Sequence, residues 1–84
     1  MKSVYIPAVS LYQRLVQLRA QLAGVRNMSV YFVFSDKTLY EMVEKQPSDI
    51  AAFGSIGGID SVRLEKYGSA FLAVISEYVS EVAL

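Results

Sequence analysis

Eighty-four residues hold at most one compact domain, and a chain this short buries only about 60–65% of the surface its unfolded form exposes. Apolar side chains make up 54% of it, which argues against disorder, and eight basic residues balance eight acidic ones, so no strong net field draws the chain to nucleic acid or anionic lipid. The absence of cysteine excludes disulfides, zinc fingers and thiol catalysis, and the absence of histidine removes the commonest general base and metal ligand.

Along the chain, Pro7 interrupts the short apolar stretch Val4-Tyr5-Ile6. The longest apolar runs, residues 30–34 and 70–75, fall far short of the roughly 20 residues that span a bilayer. The first predicted helix covers residues 11–23. Ser10 and Gln13 have capping-box spacing, and Leu11, Leu15, Leu18 and Leu22 recur on one stripe. Gly24 is positioned to end this helix in a left-handed turn.

Val30-Tyr31-Phe32-Val33-Phe34 has the β-prone character of a strand, but no partner run exists to complete a sheet. It is therefore expected to be a core-crossing connection. Ser35 or Asp36 then caps a second helix with Leu39, Met42 and Val43 inward, and Pro47 stops it. Ser48 and Asp49 cap a short third helix, with Ile50 and Phe53 inward and an end near Gly54. After the Gly57-Gly58 turn, Asp60 or Ser61 opens a fourth helix with Val62, Leu64 and Tyr67 available for packing. Gly68 is expected to break it before a fifth helix that runs to the C-terminus. The expectation is an all-α, single-domain bundle of about five short helices.

Catalytic constellations are missing. Glu77 and Glu81 share a helix face, but exposed glutamates on a terminal helix are ordinary solvation. The serines are explained by helix capping, so neither catalytic nor metal-binding residues are assigned. The Gly57-Gly58-Ile59-Asp60 turn could offer backbone amides to a phosphate, yet Asp60 would repel an anion there. It matches neither nucleotide-binding glycine pattern and is expected to be a simple helix-hairpin turn.

Charge is uneven along the chain. Residues 1–35 carry Lys2, Arg14, Arg19 and Arg26 without an acid, whereas residues 36–84 carry all eight acids. Tyr31 and Phe32 lie next to the loop after the first helix, within this basic segment. Cations interleaved with aromatic rings are what single-stranded nucleic acid uses, charge for phosphates and rings for bases. Four cations spread over that length are also compatible with plain solvation, and the rings with a place in the core.

Four blocks carry a resemblance to a known family. They are Val33-Phe34-Ser35-Asp36-Lys37-Thr38-Leu39-Tyr40-Glu41-Met42, then Gln46-Pro47-Ser48, then Ile56-Gly57-Gly58-Ile59, and Leu64-Glu65-Lys66-Tyr67-Gly68-Ser69-Ala70-Phe71-Leu72. In this order, between Leu11 and Tyr78, they resemble the HRDC domain, found toward the C-terminal end of RecQ-type DNA helicases and RNase D, and more the RecQ branch. The resemblance implies a five-helix bundle over residues 10–84 after an N-terminal extension of residues 1–9. It implies an accessory module with no enzyme activity or cofactor of its own, ATP and magnesium belonging to a helicase motor elsewhere in a parent protein. The partners it implies are single-stranded or forked DNA, bound weakly, or other domains of the parent helicase. The isolated domain is expected to be monomeric, away from membranes, in the bacterial cytosol or nucleoid.

The family's loop after the first helix often reads P-P-Y; here it reads Ser29-Val30-Tyr31, keeping the ring without the prolines. Its hairpin often reads G-V-G followed by basic residues; here Gly58-Ile59-Asp60 places an acid at the third position. The candidate nucleic-acid contacts are Arg19, Arg26 and Tyr31, with Arg63 and Lys66 as a second cluster. The alternative is a protein-interaction or intramolecular docking module with little affinity for DNA, its acidic part meeting a basic surface.

Overall fold

Ser10 opens the first helix as the spacing predicts. Its hydroxyl accepts the Gln13 amide, and the Gln13 side chain accepts the Ser10 amide at 3.0 Å. The computed structural model, which describes residues 9–83, runs this helix, α1, over Leu11–Val25. It is followed by a 3-10 turn, Val30–Phe32, and by α2, Asp36–Lys45, α3, Ile50–Gly54, and α4, Ser61–Val82. No strand occurs among the described residues, so the fold is all-α and the 30–34 run is indeed a connection. The N-terminal extension lies, apart from Val9, outside the described residues.

Two glycines behave differently from the expectation. Gly24 remains helical; the left-handed residue that ends α1 is Asn27 at φ 53°. The Met28 amide reaches back to the Ala23 carbonyl at 3.0 Å and the Asn27 amide to Gly24 at 3.1 Å, a Schellman ending, and asparagine tolerates this conformation better than most residues. Gly68 does not break a helix either. α4 passes straight through it, giving four α-helices plus the 3-10 turn among the described residues. Gly68 is buried, and a Cβ there would lie 3.0 Å from the Ile50 side chain and 3.2 Å from Leu64. Its small size serves the close approach of α3 to α4, which outweighs the roughly 1 kcal/mol helix penalty of glycine.

The core is built around Phe34. Its ring meets Phe71, Tyr67 and Phe53 edge-on at centroid distances of 4.9, 5.9 and 6.1 Å. Such contacts are worth roughly 0.5–1.5 kcal/mol each beyond the area they bury. Leu11 and Leu15 from α1, Leu39 and Met42 from α2, and Ile75 from α4 complete the packing. Phe53 enters it as expected from α3, whereas Ile50 stays half exposed at the margin against Gly68.

α1 and α4 lie antiparallel. Arg14 near the start of α1 pairs with Glu81 near the end of α4 at 2.6 Å, and the Arg14 guanidinium sits 5.4 Å from the Tyr78 ring centre. The other ends of both helices flank the 3-10 turn, and that is where the candidate site lies.

Candidate nucleic-acid interface

Five apolar residues in a short connection cannot all be buried, and the 3-10 turn sorts them. Ser29 caps it by accepting the Tyr31 amide, and the Val33 amide closes it on the Val30 carbonyl at 3.0 Å. Val33 and Phe34 then enter the core, while Tyr31 and Phe32 are left 60% and 64% exposed at the apex.

Two arginines hold this apex from opposite sides. Arg19 of α1 donates from Nη1 to the Phe34 carbonyl at 3.0 Å and from Nη2 to Asp36 Oδ1 at 2.9 Å. Arg63 of α4 donates from Nε to the Phe32 carbonyl at 3.1 Å and to Val33 at 3.0 Å, and from Nη1 to Asp60 Oδ2 at 2.5 Å. Three consecutive carbonyls are thus met by guanidinium groups, which suit the task because their donors form a rigid planar fork. The Arg19 guanidinium carbon also lies 5.4 Å from the centre of the Tyr31 ring, a cation–π contact.

The five residues singled out by sequence therefore divide. Tyr31, Arg26 and Lys66 are on the surface, and no ion pair engages Arg26 or Lys66 among the described residues. Arg19 is only 5% exposed and already paired, so phosphate neutralisation is not open to it in this arrangement. Arg63 is half-buried and engaged with carbonyls and Asp60. Both arginines position the aromatic apex.

Asp60 caps α4, its Oδ1 accepting the Arg63 amide at 2.8 Å. That backbone hydrogen bond, with the Arg63 charge beside it, holds its carboxyl below the ordinary value. The start of α4 is consequently supplied with its own anion. The preceding turn is shaped by Gly58 at φ 86°, with the Thr38 hydroxyl donating to the Gly57 carbonyl at 3.1 Å.

Two features were not singled out in the sequence. Phe32 lines a shallow groove with Met28, Val62 and Tyr67, and Lys66 and the Arg63–Asp60 pair also border it. Val62, expected to pack, is instead 57% exposed there. On a different face Tyr12 and Tyr40 stack in parallel, 4.8 Å between centroids and 3° between planes. Helical register alone says little about such a contact between α1 and α2.

No group of three or more acidic side chains among the described residues could hold a metal ion. No helix among them is long and apolar enough to cross a membrane.

Comparison with known proteins gives a consistent result. The HRDC domain family model matches residues 9–75. The ATP-dependent DNA helicase RecQ of Haemophilus influenzae is 40% identical over 68 residues, which are 81% of this chain and 11% of that protein. The ATP-dependent DNA helicase UvrD2 of Mycobacterium tuberculosis is 40% identical over 57 residues, 68% of this chain and 8% of that protein. Among solved structures, HRDC domain 3 of Deinococcus radiodurans RecQ superimposes with a TM-score of 0.80 at 28% identity, covering 83% of this chain and 92% of that one. The chain thus spans only a small part of the curated helicases it matches.

Proposed function

The chain belongs to the HRDC domain family, and from that premise we propose that it is an accessory module of a larger DNA helicase that holds single-stranded or forked DNA weakly and so biases substrate choice. The observation that carries this proposal is the exposed Tyr31 ring, held in place from beneath by Arg19. A preordered ring offers its open face to a base at little entropic cost. Arg26 and Lys66 would neutralise phosphates beside it. Family membership supports the proposal further, since the relatives named above are DNA helicases.

With about two phosphates neutralised, affinity should fall with salt at a log–log slope near −1.4, the single-strand value of about −0.7 per contact. Fluorescence anisotropy with labelled single-stranded and forked oligonucleotides tests this. The expectation is high-micromolar binding, or weaker, at low salt that Tyr31→Ala weakens further. No change in anisotropy or amide signals at any excess of DNA would refute it.

A docking role within the parent helicase is the alternative, favoured by one observation. Glu44, Asp49, Glu65 and Glu77 are exposed and carry no ion pair among the described residues, which leaves acidic charge available to a basic partner. This role predicts that deleting the domain disrupts a domain contact and leaves DNA affinity unaltered.

A further inference from the structure

Tyr31 and Phe32 are adjacent on the turn but face different helices. Tyr31 turns toward α1 and Arg19, whereas Phe32 turns toward α4 and lines the groove with Met28, Val62 and Tyr67. We propose that Phe32 is a second nucleobase-stacking residue, so that the two rings take neighbouring bases of one single strand and Lys66 meets a phosphate beside the second base. The proposal rests on Tyr31 being a nucleic-acid contact and adds one subsite to it.

Three observations support the second subsite. The backbone that carries Phe32 is anchored, because its own carbonyl accepts a hydrogen bond from Arg63 at 3.1 Å. The groove is apolar where a base would lie, with Phe32 and Val62 both more than half exposed, and a π-face needs no hydrogen-bond partner there. Its charge suits an anion. Both Asp60 carboxylate oxygens are engaged by Arg63, while Lys66 is exposed without a partner among the described residues. A basic peptide would meet Lys66 and the engaged Arg63, and would find Asp60, the one bordering carboxylate among the described residues, already occupied.

The test is an amide-shift titration of the 84-residue chain at low salt with thymidine mononucleotide, dinucleotide and hexanucleotide. The mononucleotide is expected to move signals around Tyr31 most strongly, and the dinucleotide to add Val62 and Lys66. Phe32→Ala should weaken the hexanucleotide roughly tenfold, within the range of one lost base stack, and Phe32→Tyr should restore it. The site is exposed, so these variants should keep the wild-type circular dichroism. If Phe32→Ala binds as wild type while Tyr31→Ala is weakened, the second subsite is wrong and the proposed function stands. If neither variant responds, the proposed function fails first. Full affinity in Phe32→Leu would overturn the stacking role, and groove signals that answer an acidic peptide but not DNA would assign the groove to a protein partner.

Discussion

Arg19→Met isolates what the buried guanidinium contributes, because methionine keeps an unbranched apolar stem and deletes the charge. The variant removes the donor to the Phe34 carbonyl at 3.0 Å and the partner of Asp36 at 2.9 Å. A hydrogen bond from a charged group contributes about 1.5–3 kcal/mol. The Asp36 side chain is 49% exposed, so the ion pair adds at most about 1 kcal/mol. Two effects oppose the loss: no charge then needs desolvating, and the buried Arg19 Nε, which has no acceptor among the described residues, disappears. We expect a net loss of about 2 kcal/mol. For a domain of this size, total stability is roughly 4–13 kcal/mol, and the midpoint of thermal unfolding should fall by about 8–16 °C. Urea unfolding with an unchanged m-value is the appropriate assay. A loss below about 0.5 kcal/mol would refute the assignment of Arg19 as the support of the turn, and Asp36→Asn should cost less than Arg19→Met.

Two further variants probe the turn before α4. Gly58→Ala places a Cβ into the Thr38 hydroxyl at a φ of 86°, so it should lose about 2 kcal/mol or more in the same urea assay. Asp60 has a folded-state pKa below its ordinary value of 3.8. Its contribution is therefore complete above pH 3.8 and is lost as the pH falls through the lower folded value. Comparing Asp60→Asn with wild type at pH 6 and in strong acid should show the stability difference shrinking in acid, and a constant difference would contradict this origin.

Much of the framework could be read from side-chain chemistry close in sequence. Ser10, Ser35, Asp49 and Asp60 all cap the helices they precede, because capping depends on an oxygen one turn from an unpaired amide. What escaped depends on distant partners. Gly68 reads locally as a breaker, and only the position of Ile50 on another helix explains it. Arg19 reads as a surface cation, although it falls four residues after Leu15 and four before Ala23, all three buried on one stripe of α1. Its burial depends on a carbonyl and a carboxylate supplied by residues 34 and 36. The aromatic surface was half legible: Tyr31 and Phe32 both stood out beside the basic segment, but their exposure, with Val33 and Phe34 in the core, follows only from the turn's geometry.

The pairing of Arg14 with Glu81 has a mechanical corollary. Val9 and Ala83 lie at one pole of the bundle, while Tyr31 and Phe32 occupy the other. At 1.5 Å per residue the intervening helices separate the poles by roughly 20–30 Å. Rotation of the bundle about the pole that holds Val9 and Ala83 would sweep the aromatic tip through a wide arc without disturbing the packing behind it.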